Sequence, residues 1–134
     1  MAKRAKLSKV NMGEQTFRFQ CKAYRLPEPC EQFHYAREFG RQFRADFAFP
    51  KFGLLVEIQG GIWTRGAHGH PIGIEADIER SQYAALAGYL RMLATCEQVM
   101  SGHAIAWTQR ILSKRGWVEG SIDAMPFEQA TLME

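Results

Sequence analysis

The sequence predicts an α/β fold, a layered structure in which helices cover a mixed β-sheet. Three observations carry this expectation. Two short alternating runs flank a Pro-Lys-Phe-Gly turn signal at Pro50–Gly53, the pattern of an antiparallel hairpin. Apolar residues recur at helical spacing both before and after that hairpin. A short apolar run, Leu90–Thr95, follows the second helical segment, as a buried strand follows a crossover helix.

Taken in chain order, residues 12–25 predict a helix with Phe17, Cys21 and Tyr24 on one face. Leu26-Pro27-Glu28-Pro29 ends it, because each proline disfavours helix in the residue before it. Strand-like stretches follow near 33–38, 42–49 and 54–59. Gly60-Gly61 stops the third and lets the backbone bend. Residues 62–74 mix glycines with Pro71, His68, His70 and arginine, and predict a loop suited to function. A second helix is expected from about Glu75 to Gly88, with Ile78, Ala85, Leu86 and Tyr89 turned to the core. A third spans 97–112, with Met100, Ala104, Trp107 and Ile111 on one stripe and Trp107 and Met100 in the core. The tail 114–134 has no clear period, although Trp117, Val118, Met125 and Phe127 suggest that parts of it dock.

At 134 residues, 46% hydrophobic and 23% charged, the chain fits one soluble domain with no membrane-length apolar run. Its basic start, residues 1–11, has no apolar stretch behind it, so it does not resemble a secretory signal. Cys21, Cys30 and Cys96 are odd in number and form no C-x-x-C pair. They suit a reducing cytoplasm better than a disulfide framework. With His34, His68, His70 and His103 they match no zinc spacing. The net charge of +3 is modest, but its placement is informative. Lys3, Arg4, Lys6 and Lys9 open the chain, and Arg37, Arg41 and Arg44 lead into the hairpin. Cations bordering an acidic site suit a polyanionic substrate.

The hairpin raises the chemical question. If residues 50–53 form its loop, Phe49 faces Leu54, Phe47 faces Val56 and Ala45 faces Ile58 on one apolar side. The opposite side then carries Ala48 with Leu55, Asp46 with Glu57, and Arg44 with Gln59. Two carboxylates across a ladder lie about 5 Å apart at Cβ and repel. A cation between them, or a proton held by one, resolves the conflict. A divalent metal with oxygen ligands is the natural candidate.

The run Arg44-Ala-Asp-Phe-Ala-Phe-Pro50, followed by Leu55-Val-Glu-Ile-Gln-Gly-Gly61, resembles the PD-(D/E)XK nuclease superfamily. With Gly66-Ala-His68, Asp77-Ile-Glu-Arg80 and Gly88-Tyr-Leu-Arg-Met-Leu93, the similarity is closest to very-short-patch-repair-like and small phage or prophage endonucleases. It covers roughly residues 12–112. The resemblance implies a restriction-endonuclease-like core, with the acidic site on an antiparallel hairpin. It also implies Mg²⁺-dependent hydrolysis of DNA phosphodiester bonds, with Mn²⁺ as a substitute, in DNA recombination or repair. On this reading Asp46, Glu57 and the Ile58 carbonyl hold the metal, and Glu14 completes the site. Gln59 departs from the family's usual lysine and carries no charge for activating water. His68 is the candidate for that role. Arg44 or Arg80 would supply charge to the transition state, and Arg41, Arg65, Lys3 and Arg4 would contact nucleic acid.

A chain of this size has little room for a separate recognition domain. Structure-selective cutting, as in junction resolution by a homodimer, or nicking, therefore fits better than sequence-specific cleavage. The zinc-site residues of the very-short-patch enzymes are not found. The expected location is the cytoplasm, that of a bacterial host if the protein is phage-encoded. A catalytically silent nucleic-acid-binding module and a metal-dependent RNase are the competing readings. At single residues, Asp46 and Glu57 could pair with Arg44 and Arg41 on a solvated face. Asp77 could cap or orient the second helix, and Trp63 could stack on a base or pack against its loop.

Overall fold

The computed structural model describes residues 9–59 and 71–120. Helix α1 (Lys9–Ala23) precedes the strands β1 (Cys30–His34), β2 (Arg44–Phe49) and β3 (Leu54–Gln59). Helix α2 (Pro71–Leu86), strand β4 (Leu90–Thr95) and helices α3 (Cys96–Met100) and α4 (His103–Lys114) complete the order. The four strands form one mixed sheet in sequence order. Strands β1, β2 and β3 run antiparallel, and β4 lies parallel to β3. A parallel neighbour requires a crossover, which contains α2. Among the described residues no helix is long and apolar enough to cross a membrane.

Two apolar clusters hold the layers together. On one face, Phe17 and Cys21 of α1 meet Phe47, Phe49, Leu54, Val56 and Ile58 of the hairpin. Val99, Ala104, Ile105, Leu112 and Trp117 close that side. The Phe17 and Phe47 rings lie 4.9 Å apart at a tilt of 52°, within the range aromatic pairs favour. On the other face, Ala45, Ala48 and Leu55 pack with Tyr35, Ala36 and Ala84, the last from α2. Burial pushes the Cys21 thiol up to about 12, so it behaves as a core apolar group.

The expected hairpin is present. Phe49 pairs with Leu54, Ala48 with Leu55 and Phe47 with Val56. Pro50–Phe52 form a single 3-10 turn, and Gly53 closes it at φ 64°, a backbone region that glycine enters without strain. The expected pairs beyond Phe47–Val56 do not continue the ladder, because the Ile58 N–H turns to the Asp46 side chain. Ala45 correspondingly packs in the second cluster and not beside Ile58.

Several expectations require correction. The first strand lies at Cys30–His34, because pairing of Cys30 with Ala48 through His34 with Arg44 fixes it there; Arg37–Phe39 form a 3-10 turn. The expected third helix divides at Ser101–Gly102, where Gly102 takes φ 88°. Its buried stripe is Ala104, Ile105, Thr108 and Leu112, so Met100 and Trp107 lie exposed at the surface. Tyr24 is also exposed, beyond the last turn of α1. In α2, Ala84 faces the sheet, while Ile78, Ala85 and Leu86 face outward. Strand β4 is a sheet edge, so only Met92 and Ala94 are buried and Leu90 and Leu93 are exposed. In the tail, Trp117 docks in the main core and Val118 is exposed; Met125 and Phe127 lie outside the described residues.

Candidate active site

The site forms where β2 begins and β3 ends. Asp46, Glu57, Ile58, Gln59, Arg44 and Arg80 line one cleft of about 450 Å³. Gln32, Gln42, Asp77 and Arg91 complete its walls, which are polar almost throughout. Strands β2 and β3 therefore deliver both expected carboxylates to one concavity. Arg80 reaches it from α2, and Arg91 from the parallel neighbour β4.

The two acids are held differently. One oxygen of Asp46, Oδ2, accepts the Ile58 N–H at 2.7 Å. Burial raises the Asp46 pKa above the usual carboxylate value, and the Glu57 charge adds to the rise. The Ile58 N–H, Arg80 and Gln32 oppose it without cancelling it. Glu57 is only 6% exposed and takes a two-pronged ion pair from Arg91, with Nε at 2.7 Å and Nη2 at 3.0 Å. Nη2 of Arg91 also donates to Asp77 Oδ1 at 2.7 Å, and its Nη1 to Ser81 Oγ at 2.8 Å. Burial works against the Arg91 charge, but the hydrogen bonds and charges of Glu57 and Asp77 outweigh it and raise its pKa. A fork of this kind fixes a carboxylate in position and direction as well as in charge.

Glu14 approaches from α1. Burial and then the Asp46 charge raise its pKa, and its Oε1 accepts from Gln32 Nε2 at 3.3 Å. Gly13 permits the approach. A Cβ there would lie 3.0 Å from Ile58 Cγ2 and 3.2 Å from Cys96 Sγ, so a larger residue would press on both side chains. Gln32 takes φ 50°, an uncommon conformation for a residue with a side chain. Strain of this kind persists where its surroundings over-determine it, often at sites of function.

The donors on offer are hard carboxylate oxygens, and an ionised carboxylate keeps spare lone pairs after accepting an arginine fork. Mg²⁺ is commonly held by one or two carboxylates and waters, so Asp46 and Glu57 fit it. Among the described residues no three His, Cys, Asp or Glu side chains converge into a cage, so Glu14 lies beside the pair and not in a closed trio with it.

Asp77 does not cap α2. It lies within the helix and orients Arg91. Arg41 stands outside the cleft, paired with Glu79 and stacked on aromatic rings. Neither Arg41 nor Arg44 pairs with Asp46 or Glu57; the partner of Glu57 is Arg91. His68, His70, Arg65, Trp63, Lys3 and Arg4 lie outside the described residues. Sequence reasoning passed over Gln32, Gln42 and Arg91. A signal existed for Arg91, a lone charge in the apolar run Leu90–Thr95 whose alternation puts it opposite the buried Met92 and Ala94. Gln32 and Gln42 had none, since glutamine in a strand or loop is ordinary.

Comparison with protein-family models gave no match, and searches of curated proteins and of solved structures likewise gave none. The functional reading therefore rests on the residues of the cleft.

Proposed function

We propose that the protein is a Mg²⁺-dependent DNA endonuclease of phage or prophage type, with a restriction-endonuclease-like core and Mn²⁺ as a substitute ion. The observation that carries this reading is the convergence of Asp46 and Glu57 on a polar cleft whose other charged walls include Arg44, Arg80 and Arg91. The element order around it, a helix, three antiparallel strands, a crossover and a parallel strand, supports the same reading.

Asp46, Glu57 and the Ile58 carbonyl would hold the ion, with Glu14 behind Asp46. Such an ion polarises the phosphate and lowers the pKa of an attacking water. Arg44 and Arg80 neutralise the phosphate oxygens as charge develops on them. Arg91 fixes Glu57, and Gln59 orients water by hydrogen bonding in place of a lysine. His68 is proposed as the proton acceptor. The same reading carries a homodimer acting on branched or nicked duplex, with symmetric copies matching symmetric strands.

A catalytically silent binding module is the second reading. It is favoured by the uncharged Gln59 and by the Arg91 fork that already engages both Glu57 oxygens. Supercoiled plasmid incubated with Mg²⁺, Mn²⁺ or excess EDTA separates the two. The endonuclease reading expects nicking that EDTA abolishes and that Asp46→Asn reduces by about two orders of magnitude or more. Tight DNA binding without metal-dependent cutting would select the module instead. Duplex, four-way junction, single-stranded DNA and RNA compared in one buffer identify the substrate and test the RNase alternative.

A further inference from the structure

The geometry points to a second binding surface beside the cleft, an aromatic–arginine platform that stacks an unpaired nucleobase. This inference rests on the nucleic-acid reading above and names the form of strand the site prefers. The platform is built from residues 35–43, which connect β1 to β2, and from the facing side of α2. Phe39 is 37% exposed and belongs to neither apolar cluster. Its ring lies 5.7 Å from that of Tyr83, which in turn lies 6.0 Å from Phe43. The Arg41 guanidinium lies 4.7 Å from the Phe43 centroid and 5.3 Å from that of Tyr83. Arg80 lies 4.9 Å from the Phe43 centroid.

Phe43 and Tyr83 pack against the second cluster, and Phe39 stands on Tyr83 as the exposed ring of the platform. Tyr35, Ala36 and Ala84 are already buried in the second cluster, so Phe39 is a large ring held at the surface. It is held firmly. The Phe39 N–H donates to Ala36 O at 3.0 Å, the Gly40 N–H to Arg37 O at 2.9 Å and the Arg41 N–H to Ala36 O at 3.1 Å. Gly40 at φ 72° permits this tight loop, and Glu79 pins Arg41. Aromatic faces and guanidinium planes stack any base, whatever its hydrogen-bonding edge. In a duplex those base faces are covered by their neighbours, so the platform selects an unpaired or splayed strand. Arg80 belongs to both surfaces, and Gln42 and Arg44 lead from the loop into the cleft. A base on the platform therefore lies next to a phosphate in the cleft.

The test is equilibrium binding of the full chain in EDTA, so that no hydrolysis is needed. The probes are a labelled oligothymidylate and an abasic strand of equal length and charge. The wild-type protein should prefer the oligothymidylate. Phe39→Ala should weaken that binding by about 5- to 100-fold and leave the abasic strand unaffected, and Phe39→Tyr should retain the preference. Equal affinity of the wild type for both strands would overturn the platform, as would equal weakening of both by Phe39→Ala. A protein that passes this test yet cuts nothing in Mg²⁺ keeps the platform and loses the nuclease reading. A protein that cuts but shows no base preference does the reverse.

Discussion

The surroundings of Asp46 disfavour its charged form. Its folded-state pKa is raised by burial and by Glu57, and that of Glu14 by burial and by Asp46. The native state therefore binds more protons than the unfolded chain between the ordinary carboxylate values and the raised ones. Stability from these two groups is complete below about pH 4 and falls as pH rises through their folded-state pKa values. Asp46→Asn removes the charge and keeps an oxygen for the Ile58 N–H. It should raise the urea midpoint at pH 7, with the gain shrinking as pH falls and vanishing near pH 4. A gain that persisted unchanged at acid pH would remove charge as its cause. Asp46→Ala should instead destabilise by about 1–3 kcal/mol, since it leaves the Ile58 N–H without its acceptor. Arg91→Met should cost about 3–5 kcal/mol in urea unfolding, because Glu57 stays buried with no counter-charge. Adding Glu57→Gln to that variant should restore part of the loss. Both acids were legible in the sequence as the acidic residues flanking the turn at Pro50–Gly53, and they line one cleft, although the expected ladder pair of Asp46 with Glu57 does not form. The partner of Glu57 was not legible, because it arrives on β4, and nothing local to the hairpin names the residue on a parallel neighbour.

Among the elements, α1 has the clearest link between packing and site. Its Gly13 lies against Ile58 and Cys96, which brings Glu14 into electrostatic range of Asp46. Gly13→Val should overpack that contact and cost about 1–3 kcal/mol. It should also return Glu14 toward an ordinary carboxylate pKa, a change that NMR titration of the side chain would detect. An unchanged titration with unchanged stability would show that α1 does not need this close approach. Strands β2 and β3 were readable because their alternation is strong and their turn unambiguous. The start of β1 was not, since its limits come from pairing with β2 and its alternation is interrupted at Gln32. The expected single helix over 97–112 failed for a related reason. Its apolar period continues across Ser101–Gly102, but Gly102 at φ 88° ends one helix and begins the next. The N-terminus of α3 is secured by a capping box in which Thr95 and Gln98 exchange hydrogen bonds at 3.1 and 2.9 Å, whereas α4 starts at Gly102 with no side-chain cap.

At the scale of the whole molecule, the sheet brings Arg44, Arg91, Asp46 and Glu57 to one cleft, and helix α2 adds Arg80. The layered α/β architecture followed from the order of periodic segments, and the site from two acids equidistant from a turn. Which faces of α2, β4 and α4 are buried did not follow. Exposed Ile78, Leu86, Leu93 and Trp107 satisfy a helical or strand pattern as well as buried residues do. The proposed divalent-ion binding would draw on the Asp46 charge, on the hairpin and on the polar cleft together. The direct measurement is titration of the protein with Mn²⁺, following loss of the free-ion electron paramagnetic resonance signal. Saturable binding that Mg²⁺ displaces, and that Asp46→Asn abolishes, is the predicted result. Binding of equal strength by the wild type and Asp46→Asn, or by neither, would contradict it.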